Sequence, residues 1–140
     1  MGDGSLASVD GPTEIIQEMI KLQQYTFVCA PSFTQKAGLK AMDVDMKEFI
    51  AEYKGKRDFV YDALKKNFNL EKPGGAFYIF PEAPGGSGIE FVEKAIKMGV
   101  LIIPGNVFSE ADTHFRISFA AGKDTLKRGM DILNRLAKNG

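Results

Sequence analysis

Arg116 sits in the run His114-Phe115-Arg116-Ile117-Ser118-Phe119-Ala120. Read as a strand, this run puts Phe115, Ile117 and Phe119 on one face and Arg116, Ser118 and Ala120 on the other, because successive strand side chains point to opposite sides. A guanidinium held on rigid backbone and aimed away from an apolar face can grip a carboxylate, since its planar fork matches two oxygens at once. The competing reading is a surface arginine paired with a nearby acid, Asp112 or Glu110. Arg116 is the candidate substrate-binding residue. No catalytic, cofactor-binding or metal-ligating residue is assigned beside it.

Other reactive types carry less. One histidine, His114, and one cysteine, Cys29, stand too far apart for any usual zinc spacing. His114 reads as a half-exposed strand residue, and Cys29, in an apolar segment, as a buried and inert thiol. No G-x-S-x-G, Walker A or H-E-x-x-H pattern occurs. Gly85-Gly86-Ser87-Gly88 ahead of a helix has the glycines of a phosphate cradle, but no strand before it or lysine after it, so it reads as a solvent loop. Arg57-Asp58 reads as a solvated pair, Tyr78 as a core residue, and Asn106 as a turn residue after Pro104-Gly105.

The elements that must hold Arg116 follow from patterning. Met1 to Asp10 reads as a cloning remnant or disordered lead-in. Pro12 opens a short helix over roughly 12–23 with an apolar stripe of Ile15, Ile16, Met19 and Ile20. Gln24 to Ala30 is apolar and extended, and Pro31 opens a second helix to about Met42. Asp45, with Glu48 three residues on, marks the start of the longest helix, which runs to about residue 68 with Met46, Ile50, Tyr53, Val60, Leu64 and Phe68 on its apolar face. Ala76 to Phe80 is a strand. Ser87, with Glu90 as its capping partner, starts a helix that Gly99 ends. Val100 to Ile103 is wholly apolar, as expected of a central or doubly covered strand. The Arg116 strand and a final helix over 123–137 complete the chain. The fold class is α/β: a two-layer sandwich with about three mixed or antiparallel strands, helices on one face, and extra helices before it.

Composition narrows the function. The 140 residues suit one domain by length, enough to bury roughly two-thirds of the unfolded surface. Lys+Arg and Asp+Glu are equal at 18 each, which gives no electrostatic case for nucleic acid or an anionic membrane. The longest apolar run, Met98 to Pro104, is far short of a membrane span. With no signal-peptide pattern and a single cysteine, the expected compartment is the cytoplasm.

Three blocks in fixed order carry a resemblance: Pro73-Gly-Gly-Ala-Phe-Tyr-Ile-Phe-Pro81, Pro104-Gly-Asn-Val-Phe108 and Phe115-Arg-Ile-Ser-Phe-Ala120. Over about residues 11–138 the chain resembles the C-terminal part of a class I/II pyridoxal-phosphate-dependent aminotransferase of the aspartate aminotransferase kind, fold type I. The resemblance implies that residues 45–140 are the small domain and 11–44 a helical remnant of the large domain with its dimer-facing surface. It implies that Arg116 binds the α-carboxylate of an amino acid or 2-oxo acid. The family's S-x-x-K motif, whose lysine holds the cofactor, does not occur, nor does the arginine that follows it on the cofactor phosphate. Ser109 stands where the family usually has glycine.

The expectation is therefore a truncated aminotransferase domain. The intact parent would move an amino group from an amino acid to a 2-oxo acid with pyridoxal phosphate. This fragment would supply the carboxylate clamp, hold no cofactor, bind carboxylates weakly and be silent alone. Neither nucleic acid nor membrane is an expected partner, whereas a homodimer through residues 12–42 is. A free-standing binding or self-association module that keeps the small-domain fold is the alternative.

Overall fold

The computed structural model describes residues 6–139. The expected lead-in therefore falls partly outside the described residues; residues 6–10 are exposed and have no regular structure. The chain divides into two units, one through Met46 and the other from Lys47.

In the first unit, α1 (Thr13–Gln24) and α2 (Ser32–Ala41) each open behind a proline. Pro12 and Pro31 have φ of −54° and −55°, suited to entering a helix, and the Pro12 carbonyl accepts from the Ile15 and Ile16 amides. Neither helix buries a residue. Ile15, Met19 and Ile20 form the expected stripe but stay about half exposed. The extended segment expected after α1 is instead a turn, with the Val28 amide donating to the Gln23 carbonyl and Val28 at φ +60°. That conformation crowds a β-branched residue and lifts the segment off any strand. Cys29 lies in it and is exposed, not the buried thiol its neighbours suggest.

In the second unit, α3 (Lys47–Leu64), β1 (Tyr78–Ile79), α4 (Gly88–Lys97), β2 (Ile103–Pro104), a 3-10 turn at Gly105–Val107, β3 (Phe115–Ser118) and α5 (Lys123–Asn139) follow in order. The sheet order is β1-β3-β2 and both pairings are antiparallel. Phe115, Ile117, Phe119 and Ile79 share one core with Val60 and Leu64 of α3, Phe91 of α4 and Leu133 of α5. The helices thus bank on one face, as a two-layer sandwich requires. Phe68, Phe91 and Phe115 pack as a ring triad, with centroids 5.8, 5.7 and 4.7 Å apart. Each such buried ring contributes about 1.5–3 kcal/mol.

Two expectations change. The apolar Val100 to Ile103 run is neither central nor doubly covered: only Ile103 and Pro104 pair, at an edge, and Leu101 is 86% exposed. Of that run Ile102 is buried in the core and Val100 packs against it, half-buried. The apolar face of α3 is buried only in its second half, at Val60 and Leu64, while Phe49 and Ile50 stay exposed.

The helix punctuation follows its chemistry. The Ser87 hydroxyl accepts from the Glu90 amide at 3.3 Å, and Gly99 leaves α4 at φ +82°. Gly88 and Gly105 both press on the His114 carbonyl: a Cβ would stand 2.3 Å from that oxygen at Gly88 and 2.7 Å at Gly105. At Gly55, inside α3, a Cβ would meet nothing within 4 Å. Gly88→Ala and Gly105→Ala should each cost about 1–3 kcal/mol through forced backbone movement. Gly55→Ala should stabilise by about 0.5–1 kcal/mol through helix propensity. Urea unfolding of the three variants checks these opposite signs.

Candidate functional site

Because Phe115, Ile117 and Phe119 take the core side of β3, Arg116 emerges on the open face of the sheet, where it is half-buried. β3 is fixed from both edges. Phe115 and Phe119 donate through their amides to the carbonyls of Pro81 and Phe77, both at 3.0 Å, and the His114 carbonyl accepts from the Gly105 amide at 2.7 Å. The registers Tyr78↔Ser118 and Ile103↔Arg116 then place Tyr78 and Ile103 on the same open face. Tyr78 is accordingly half-buried beside Arg116 rather than a core residue.

The guanidinium lies 4.2 Å from the Tyr78 ring centroid and 4.3 Å from that of Phe108. Phe108 follows the 3-10 turn, held by its amide on the Gly105 carbonyl at 2.8 Å. Phe80 meets Phe108 edge to face at 6.5 Å and stacks flat on the His114 ring at 5.2 Å. His114 is half-buried, as a strand residue of this kind should be, and its Nδ1 shares a 2.8 Å hydrogen bond with the Thr113 hydroxyl.

Neither expected acid neutralises Arg116. Asp112 serves the start of α4: one carboxylate oxygen accepts from the Ile89 amide at 2.9 Å, the other from the Ser87 hydroxyl at 2.8 Å. The helix N-terminus behind Gly85-Gly86-Ser87 is thus filled by the chain's own carboxylate, which satisfies an otherwise orphan amide. Among the described residues the Arg116 side chain has no hydrogen-bond or ion-pair partner. The same residues contain no group of three or more potential metal ligands, and no helix long and apolar enough to cross a membrane.

Farther along α3, Asp58 accepts from Arg57 at 2.8 Å and pairs with Lys72 at 2.8 Å, while Arg57 also donates to the Pro73 carbonyl at 3.3 Å. Arg57-Asp58 is therefore a clasp on the segment that enters β1, more than a solvated pair. The hydrogen bond from Lys72, then that from Arg57, holds the Asp58 carboxyl below the usual carboxylate range. Lys56 does the same to Glu52. Phe80 and Phe108, the rings that complete the surroundings of Arg116, carry no sequence signal beyond membership of the two aromatic blocks around the arginine.

Fold and site together define a small α/β domain that presents one unpaired guanidinium among aromatic rings on the open face of a three-stranded sheet. The chain belongs to the aminotransferase class I and II family, whose pattern matches residues 4–132. It is 36% identical over 128 residues to a probable aspartate aminotransferase of Methanocaldococcus jannaschii, covering 88% of this chain and 34% of that protein. It is also 36% identical over 130 residues to a probable N-acetyl-LL-diaminopimelate aminotransferase of Bacillus subtilis, covering 87% and 33%. Among solved structures, an aromatic aminotransferase from Pyrococcus horikoshii superposes with a TM-score of 0.81 at 32% identity, over 91% of this chain and 37% of that one. The chain spans about a third of the length of the curated relatives it matches.

A depressed carboxyl pKa contributes stability that is complete above the unfolded-state value and disappears as pH falls through the folded one. Unfolding midpoints should therefore hold steady at neutral pH and drop as the solution is acidified through and below the ordinary carboxylate range. Asp58→Asn should lower the neutral-pH midpoint and flatten that acid limb. An unchanged limb would show that the clasp contributes nothing.

Proposed function

We propose that this chain is the substrate-side small domain of an aminotransferase, residues 45–140, with a helical strip of the large domain, residues 11–44, ahead of it. In this reading the intact parent transfers an amino group between an amino acid and a 2-oxo acid, and Arg116 receives the α-carboxylate. The observation that carries it is the unpaired Arg116 fork on the open sheet face, flanked by Tyr78 and Phe108. A guanidinium not committed to a protein carboxylate has its donors available to a ligand carboxylate, and charged hydrogen bonds of this kind are worth about 1.5–3 kcal/mol each.

The family implies pyridoxal phosphate for the intact parent, where it would supply the electron sink for the chemistry. The residues around Arg116 do not fit that group. A lysine that bonds covalently to a cofactor must be free to lose its proton, which a neighbouring carboxylate opposes. Lys65 is instead held by Asp62 at 2.6 Å, a hydrogen bond that raises its pKa. The side chains that flank the Arg116 guanidinium are aromatic rings rather than phosphate-binding donors. No step is assigned to this chain alone beyond binding and orienting a carboxylate.

The exposed stripe of α1 favours a second element of the reading, a homodimer through residues 12–42. Sedimentation should give a mass that rises with concentration. A strict monomer would remove this element and leave the carboxylate clamp untouched.

Titration with L-aspartate and L-phenylalanine, followed by NMR, should move the resonances of β3 and Phe108, weakly but saturably. Phenethylamine, which lacks the carboxylate, should not. Arg116→Lys should weaken binding about tenfold, equivalent to about 1.4 kcal/mol, by losing the two-point fork. Borohydride treatment with pyridoxal phosphate should fix no single lysine stoichiometrically; a defined adduct would overturn the reading of a clamp without its catalytic half.

A further inference from the structure

The two rings beside Arg116 come from opposite sides of its strand. Tyr78 belongs to β1, and Phe108 follows β2 and its 3-10 turn, with β3 between them in the sheet. Their centroids lie 4.2 and 4.3 Å from the guanidinium carbon, a separation at which an arginine is attracted to an aromatic face. The Arg116 side chain has no hydrogen-bond partner among the described residues, so no polar contact orients its plane.

Phe108 is itself held. Its amide bonds to the Gly105 carbonyl, and its ring meets Phe80 edge to face. Phe80 continues the β1–β3 register to a place opposite Arg116, and the bridge Glu82↔His114 keeps that register beyond the strand. Both Phe80 and Phe108 nevertheless keep more than two-fifths of their surface in solvent, 41% and 48%. They are poorly placed as core residues and well placed as walls.

We propose that Tyr78 and Phe108 are positioning residues. They fix the guanidinium plane of Arg116 and leave its edge as the side from which an oxyanion is received. The inference deepens the carboxylate-clamp reading and rests on it. A carboxylate is flat, so both oxygens can lie in the plane of the fork. Sulfate is tetrahedral: with two oxygens in that plane, the other two project out of it on the sides that the rings occupy, where apolar carbon takes the place of their water. The walls therefore favour carboxylate over tetrahedral oxyanions, a discrimination that an unflanked arginine lacks.

The test uses the full chain, with acetate and sulfate as probes at constant ionic strength, observed at the Arg116 Nε–Hε resonance assigned by its loss in Arg116→Lys. The wild type should prefer acetate. Phe108→Leu should cut acetate affinity at least threefold and bring the acetate-to-sulfate ratio close to one, and Phe108→Tyr should restore both. All three proteins should share one thermal midpoint, because the side chain is half exposed. An unchanged ratio in both Phe108→Leu and Tyr78→Leu overturns the inference. If acetate does not bind the wild type, or shifts the Phe108 backbone amide equally in Arg116→Lys, the clamp reading fails instead. The heteronuclear NOE at Nε–Hε then decides positioning separately: a fall in Phe108→Leu supports it, and an unchanged value overturns it.

Discussion

Phe115 is fully buried and Phe119 nearly so, and the alternation of strand side chains turns those two facts into a constraint on everything above the sheet. With both rings in the core beside Phe91 and Leu133, β3 cannot slip by one residue without exposing two phenylalanines and burying an arginine. A one-residue slip would forfeit several kilocalories of apolar burial and add the desolvation of a charge, so no competing register is accessible. The backbone of Arg116 is therefore held in place by its neighbours' burial and by strand pairing, with no hydrogen bond or ion pair on its side chain.

The engagement of Asp112 elsewhere shows why Arg116 has no ion-pair partner. Asp112 lies four residues from Arg116 and would be a natural partner, yet both its oxygens are engaged at the start of α4. That arrangement serves the fold twice. It satisfies the first amides of α4, and it ties the 109–113 loop to the helix beside Gly88, whose own amide donates to the Asp112 carbonyl. Aromatic rings replace the ion pair at Arg116. An exposed cation–π contact contributes about 0.5–1 kcal/mol, no more than a surface salt bridge, but it leaves the guanidinium's hydrogen-bond donors unspent on a carboxylate.

What could be read in advance divides along physical lines. Local signals were legible: the Ser87 cap, the glycine exit at Gly99, and the alternation that sends Arg116 away from the core all depend on residues close in sequence. Non-local placement was not. The apolarity of Val100 to Ile103 fits a central strand and an edge strand equally well, and only pairing shows that β3 is central and that Leu101 faces solvent. Tyr78 looked like core because its neighbours are apolar, whereas the register to Ser118 puts it on the open face. Phe80 and Phe108 escaped for the same reason, being joined to Arg116 through strand pairing and a 3-10 turn rather than through spacing. Cys29 failed differently: its apolar context suits a strand, but a turn at Val28 exposes it.

The distribution of apolar surface bears on how much of a site one chain can make. In the second unit the core closes around β3 and the aromatic triad, so Arg116 is presented by a self-sufficient layer pair. In the first unit no residue of α1 or α2 is buried, although the α1 stripe has the spacing of a core-facing helix. Helices this short are marginal by themselves, since most helical stability in proteins comes from packing an amphipathic face. The same asymmetry marks α3, which is buried at Val60 and Leu64 and exposed at Phe49 and Ile50. Apolar surface remains unsatisfied toward the N-terminal part of the chain and is satisfied around the arginine. Each unit is thus settled or unsettled by its own packing: β3 is fixed by rings buried on both sides of Arg116 in sequence, whereas the helices of the first unit keep an apolar face with no core of their own to cover it.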